Sequence, residues 1–343
     1  MVSVLTLLKE FTFVNIDSAD LDELQYLKDN DMTPHDATTN PTLVMKAYHS
    51  SPRTKSIVDR IIDENHSESD MILVMDKILV EIGCEILKII PGKVSTELDS
   101  RFSFSVRKTV EQGKRIMRMY EHNEIPRERV LLKVASTWEG IMAMKQLKEN
   151  NILCNATLCF SLPQAICAAR ISQAYCVSPF VGRISDWYKK NHSAEELSKY
   201  SEDPAITNLK NIYWSLKKYG LRTQVMGASF RSAESCLQIA GCDMVTLNPA
   251  FIKELNKEGT LEPVLNPNEA MNKDIPDLKF DEESFRWNLN ENVMATELLA
   301  DGIRKFAADA RKMENIVREK LSVAKIRDSV SVDELSSGIG YVM

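Results

Sequence analysis

Eight short apolar runs recur along the chain, each followed by a segment able to form a helix. They lie near residues 12–17, 33–39, 92–97, 129–135, 152–158, 174–180, 223–229 and 243–247. Strands that alternate with longer amphipathic segments pair in parallel, because a parallel connection needs a crossover of a dozen or more residues. Eight such units, with no break in composition between them, predict a single α/β domain: a (βα)8 barrel with extra helices at its termini. The length of 343 residues would allow two domains, but barrels of this kind often run that long as one. The barrel is expected over residues 1–321. Residues 322–343, rich in Ser, Val and Asp, read as a C-terminal tail of uncertain order. The competing dinucleotide fold loses ground, because only 12 glycines are present and neither G-x-G-x-x-G nor G-x-x-x-x-G-K-[ST] occurs.

Helix boundaries carry their own signals. Ser136-Thr137-Trp138-Glu139 reads as a capping box, with Ser136 as N-cap. Asn40-Pro41 sets an N-cap residue before a proline at the first helical position. From about Ser284 to Leu321 the apolar spacing reads as helix.

Composition narrows the function. A net charge of −6 argues against a general nucleic-acid binder, though a few arginines can still make a pocket for a small anion. The seven cysteines are odd in number, form no C-x-x-C pair and sit in apolar runs, so they read as reduced, buried thiols. The five histidines show no metal-ligand spacing, and no zinc or other metal is expected. The N-terminal segment lacks the basic start of a secretory signal, and no apolar run is long enough to span a bilayer. These readings point to the cytosol.

A barrel of this class presents its chemistry at the C-terminal ends of its strands. Lys133 interrupts Val130-Leu131-Leu132-Lys133-Val134-Ala135, where a central parallel strand should be apolar throughout. Desolvation disfavours an ammonium and frees the amine to attack a carbonyl. The plainer alternative is a lysine whose head reaches water at the strand end. Asp17 and Glu97 end two other strands and are candidate acid–base groups, although each alone reads more readily as a solvated carboxylate or a helix cap. Asn155 and Thr157 sit inside an apolar run and need hydrogen-bond partners. Asn40 and Ser178 are candidates for holding a sugar hydroxyl, against simpler roles as a cap and a turn residue. Arg183 and Arg231 follow the sixth and seventh strands, where phosphate sites are common, with Ser229 beside them. Taken singly, each arginine reads more readily as a surface ion pair. Trp138 and Trp187 read as packing residues.

The motifs together resemble the transaldolases. Asp36-Ala37-Thr38-Thr39-Asn40-Pro41 is similar to the family's strand-2 signature, and Leu132 to Gly140 is similar to its Schiff-base lysine segment. Ser178 to Ile184 and Met226 to Arg231 resemble two further blocks, and the likeness runs from about residue 5 to about 320. It suits the longer members of the family rather than the short aldolase-like ones. The resemblance implies that Lys133 forms a Schiff base and that Asp17 takes the proton from the hydroxyl whose carbon becomes an aldehyde. It implies that Glu97 serves the other proton transfers, with Thr157 and a water. Asn40, Asn155 and Ser178 would hold dihydroxyacetone hydroxyls. Arg183, Ser229 and Arg231 would bind phosphate. The implied partners are sedoheptulose 7-phosphate, glyceraldehyde 3-phosphate, erythrose 4-phosphate and fructose 6-phosphate. The chemistry implies no cofactor, and the chain would act as a monomer or a homodimer.

The sequence departs from the family at three places. Pro163 stands in the helix after the fifth strand, Asn248 follows the eighth, and Ile171-Ser172-Gln173-Ala174 lacks the usual glycine. Two other functions compete. One is an aldolase that releases free dihydroxyacetone, disfavoured by Phe180 where related aldolases carry Tyr. The other is a non-catalytic homologue, which would be expected to have lost Lys133, Asp17 or Glu97.

Overall fold

The computed structural model describes residues 2–65 and 70–337, with residues 323–337 described by backbone alone. Helix α1 (Val4–Lys9), capped by Ser3, leads into strand β1 (Phe13–Asp17) and α2 (Leu21–Asp29). Strand β2 is only Ala37–Thr38, and α3 (Pro41–Ser50), α4 (Pro52–Glu64) and α5 (Met71–Leu87) follow it. Then come β3 (Val94–Glu97), α6 (Val106–His122), β4 (Val130–Ala135), α7 (Trp138–Glu149), β5 (Leu153–Cys159) and α8 (Leu162–Arg170). Strand β6 (Cys176–Pro179) precedes α9 (Val181–Asn191), α10 (Ala194–Leu197) and α11 (Pro204–Lys218). Strand β7 (Gln224–Gly227), α12 (Ala233–Leu237), β8 (Met244–Leu247) and α13 (Pro249–Leu255) complete the repeat. Two more helices, α14 (Glu282–Glu291) and α15 (Val293–Ser337), close the described chain.

The eight strands pair in parallel in chain order, and β8 returns to β1, so the sheet is a closed barrel. This is the (βα)8 fold that the alternating pattern predicts. Strand β4 shows why the pattern is readable: all six residues are buried, because one face meets helices and the other the barrel interior. Alternate side chains point to opposite faces. Leu132, on the outer face, packs near Leu147 of α7 and Gly113 of α6, in a core where trimming one leucine to alanine costs about 2–5 kcal/mol. On the inner face, Leu131, Cys176, Met226 and Met244 form a separate apolar plug. Above it the inner positions become polar, and that change of character makes the site. The register sets Glu97, Lys133 and Asn155 side by side on β3, β4 and β5.

Two local expectations are corrected, and one strand-2 residue is placed. The N-cap of α7 is Thr137, whose hydroxyl accepts from Gly140 N at 2.9 Å, and not Ser136. The Ser136 hydroxyl instead donates to Thr157 O at 2.8 Å, tying β4 to β5. The helix expected over 284–321 is broken at Asn292, whose side chain accepts from Ala295 N at 3.0 Å and so starts α15 anew. The strand-2 residue Asp36 lies at the N-terminal end of the barrel, where its carboxylate accepts from Lys93 N at 2.7 Å and pairs with His35. It therefore lies at the end away from the catalytic groups.

Pro163 sits in the first turn of α8, where it costs no hydrogen bond. Asn248 caps α13. All seven cysteines are buried and free. The segment expected as a tail continues α15 as far as Ser337, and residues 338–343 lie outside the described residues. Among the described residues no helix is long and apolar enough to cross a membrane.

Candidate active site

A cavity of about 190 Å³ opens at the C-terminal mouth of the barrel. Asp17, Thr38, Asn40, Lys133, Ser178, Phe180, Arg183 and Ser229 line it, together with Thr246 and, from α15, Phe306. A wider groove lies between α4, α5 and α6, but no buried side-chain polar atom lining it lacks a partner. The barrel mouth differs, because it concentrates polar atoms without partners: Glu97 Oε2, Thr157 Oγ1 and Arg183 Nη1.

Lys133 is 4% exposed, and its Nζ lies 3.4 Å from Thr39 O and 3.8 Å from Glu97 Oε2. The lysine head is thus buried rather than reaching water. Glu97 stands behind it. Burial raises the Glu97 carboxyl to about 7, although Lys133 and then Arg183 pull it down. A carboxyl near 7 can both give and take a proton at neutral pH. Thr157, on β5, completes this group with its unpartnered hydroxyl.

Two chains of hydrogen bonds hold the flanks of the lysine. On one side, Thr38 Oγ1 donates to Asp17 Oδ1 at 2.7 Å, and the Thr246 hydroxyl is 2.9 Å from Thr38 Oγ1. On the other, Ser178 Oγ donates to Asn155 Oδ1 at 2.7 Å, and Asn155 Nδ2 donates to Ser95 Oγ at 3.3 Å. Ser178 thereby spends its one proton and keeps lone pairs free to accept from a hydroxyl. Asn40 takes the cap role that the sequence suggested and also lines the cavity. Its Oδ1 caps α3 by accepting from Leu43 N at 2.9 Å, while its amide lines the cavity.

The two arginines are not equivalent. Arg183 lies in the first turn of α9, which has no side-chain cap. Burial lowers its proton affinity. Arg231 lies outside the cavity lining, in a neighbouring surface groove. It is ion-paired to Asp186 at 2.6 Å, and its Nη1 donates to Ser229 O at 2.9 Å. Ser229 takes φ 64°, a left-handed conformation costly for a residue with a Cβ and typical of ligand-holding turns.

Of the residues singled out in the sequence, seven line the cavity and Glu97, Asn155 and Thr157 stand behind Lys133, while Arg231 sits outside the rim. The sequence reading missed Thr38, Thr246, Ser95 and Phe306 as site residues. The first three are small hydroxyl residues of short buried strands. Among the described residues no three His, Cys, Asp or Glu side chains converge as metal ligands.

Residues 14–317 match the sequence family described as Transaldolase/Fructose-6-phosphate aldolase. A protein of Protochlamydia amoebophila (strain UWE25) named Transaldolase is 42% identical over 325 residues, covering 91% of this chain and 96% of that protein.

Proposed function

Because the chain belongs to the transaldolase/fructose-6-phosphate aldolase family and is an enzyme of the transaldolase type, we propose that it transfers a dihydroxyacetone unit between sugar phosphates through a Schiff base on Lys133. The donor is sedoheptulose 7-phosphate and the acceptor glyceraldehyde 3-phosphate, giving erythrose 4-phosphate and fructose 6-phosphate. The observation that carries this reading is a buried amine beside a carboxyl raised to about 7, at the floor of a cavity with an unpaired arginine at its rim.

The steps follow from the groups. Lys133 adds to the ketose carbonyl. Glu97, acting with Thr157 through a water, moves the protons that let the carbinolamine lose water to the iminium. Asp17, its Oδ1 held by Thr38, accepts the proton from the hydroxyl on the fourth carbon. The bond between the third and fourth carbons breaks, and its electron pair enters the iminium to give an enamine. The aldehyde leaves, and an acceptor aldehyde reverses these steps. Asn40, Asn155 and Ser178 hold the hydroxyls of the retained unit. Arg183, Ser229 and Arg231 hold the phosphate. The seven reduced thiols support a reducing compartment, and we assign the chain to the cytosol.

Borohydride reduction in the presence of fructose 6-phosphate tests this directly. The wild-type chain should gain a covalent adduct on Lys133, and Lys133→Ala should gain none while keeping its fold. A turnover-competent Lys133→Ala, or an adduct on another residue, would overturn the mechanism.

A further inference from the structure

Arg183 is held in an unusual way. Its guanidinium carbon lies 5.1 Å from the ring centre of Phe180 and 5.3 Å from that of Phe306. Phe180 belongs to the barrel, at the end of β6, whereas Phe306 comes from α15, after β7 and β8. Both rings are almost fully buried. Among the described residues Arg183 has no salt-bridge partner, whereas Arg231 is already paired with Asp186. Helix α15 reaches this position because residue 302 is glycine: a Cβ there would meet Leu158 Cδ2 at 2.7 Å and Arg183 Nη1 at 3.1 Å.

We propose that Phe306 and Gly302 of α15 are positioning residues for the phosphate subsite, holding Arg183 against Phe180 with no carboxylate in ion-pair contact with it among the described residues. The physical reason lies in the choice of partner. A carboxylate would stabilise a buried guanidinium but would also accept its N–H groups and cancel its charge. An aromatic face attracts the cation through its quadrupole and accepts no conventional hydrogen bond in the guanidinium plane. The part of the guanidinium that lines the cavity then stays available for a phosphate monoester, while Nη1 lies buried against α15, and the rotamer is fixed before the ligand arrives. The proposal rests on Arg183 being a phosphate ligand, and it adds that the C-terminal helix shapes the site.

The test compares phosphorylated with free sugar. Phe306→Leu should raise the KM for fructose 6-phosphate about tenfold, in keeping with a desolvated cation–π contact. The loss should fall on KM more than on kcat, and it should lower kcat/KM for free fructose far less than for fructose 6-phosphate. Inorganic phosphate, used as a competitive inhibitor, should weaken to the same degree. Phe306→Tyr keeps an aromatic face and should restore affinity. Gly302→Ala presses on Nη1 from the helix side without opening a cavity, and should give the same phosphate-selective loss even if Phe306→Leu fails to fold. Equal losses for both sugars in these variants would mark a purely structural role and overturn the proposal. So would an unchanged KM for fructose 6-phosphate. Arg183→Ala separates the two levels. If it leaves phosphate affinity intact, the phosphate assignment itself is wrong. If it weakens phosphate while Phe306→Leu and Gly302→Ala do not, only the positioning role falls.

Discussion

The carboxylate of Glu97 lies 3.8 Å from the amine of Lys133, on adjacent strands, with no hydrogen bond between them. The two charges are close enough to feel each other and far enough apart for a small molecule to mediate between them. Burial nevertheless wins over the pull of Lys133, and the carboxyl sits up at about 7.

Glu97→Gln should therefore act on rate and on stability with defined signs. Schiff-base formation in the wild type should show an ionisation near pH 7 that the variant lacks, with a rate about 10²–10⁴-fold lower. A carboxyl raised in the folded state binds its proton more tightly there than in the unfolded chain. Its stabilising contribution is complete below the unfolded value and is lost as pH rises through about 7. The variant should thus gain stability relative to wild type between pH 5.5 and 8.5, by at most about 3 kcal/mol. Melting curves at the two pH values check this, and a gap that narrows as pH rises would refute it.

Thr38→Val removes the donor that fixes Asp17 Oδ1, while keeping the side-chain shape. Loss of a hydrogen bond to a charged group costs about 1.5–3 kcal/mol, so cleavage should slow roughly 10- to 100-fold. Schiff-base formation should be spared. Mass spectrometry after borohydride trapping distinguishes the steps, because stalled cleavage leaves a hexose phosphate on Lys133 in place of a triose. A triose adduct formed at the wild-type rate would show that Thr38 does not serve Asp17.

Phe180 lines the cavity and packs edge-on to Phe160, with ring centres 5.7 Å apart. It offers no proton to the enamine and orients no water. Phe180→Tyr adds one hydroxyl at nearly constant shape. Release of free dihydroxyacetone from fructose 6-phosphate without an acceptor should rise, and transfer should fall. A variant that loses transfer with no added release would reduce Phe180 to packing and to its contact with Arg183.

Gln173 occupies the stretch where the family usually has glycine, and it takes φ 50°. The left-handed conformation costs a residue with a Cβ about 1–2 kcal/mol, of which glycine's greater unfolded freedom returns part. Gln173→Gly should raise Tm by about 1–2 °C with no change in turnover. A lower Tm would show that the exposed glutamine side chain is itself stabilising.

Truncation after Leu321 should leave turnover nearly unchanged, because every cavity-lining residue of α15 precedes that point. Steady-state assay of the shortened chain decides it, and a large loss with the fold intact would show that residues 322–343 reach the site.

The sequence was readable where burial forces a pattern. Strands buried on both faces must be apolar, so Lys133 stood out and the eight runs fell within a few residues of their observed places. Strand β2 is shorter than its run because only Ala37 and Thr38 pair, while Asp36 turns to hold Lys93. Thr38 and Thr246 went unread because threonine suits a strand for its shape alone, so a hydroxyl there carries no signal until its neighbours are known. Phe306 was hidden for the opposite reason. An apolar residue at helical spacing is expected to be core, and only the three-dimensional path of α15 sets it over an arginine. The cap of α7 was misplaced by one residue because Ser136 and Thr137 are equally good caps, and the choice was made by the Thr157 carbonyl across the sheet.

Helix α15 leaves the outer ring and packs on α3, α9 and β5. During synthesis it emerges after all eight strands have been made. A nascent barrel can therefore close its sheet and bury Lys133 while Arg183 still lacks one of its two rings. On the proposed phosphate role of Arg183, competence for the anion is therefore the last property the chain acquires.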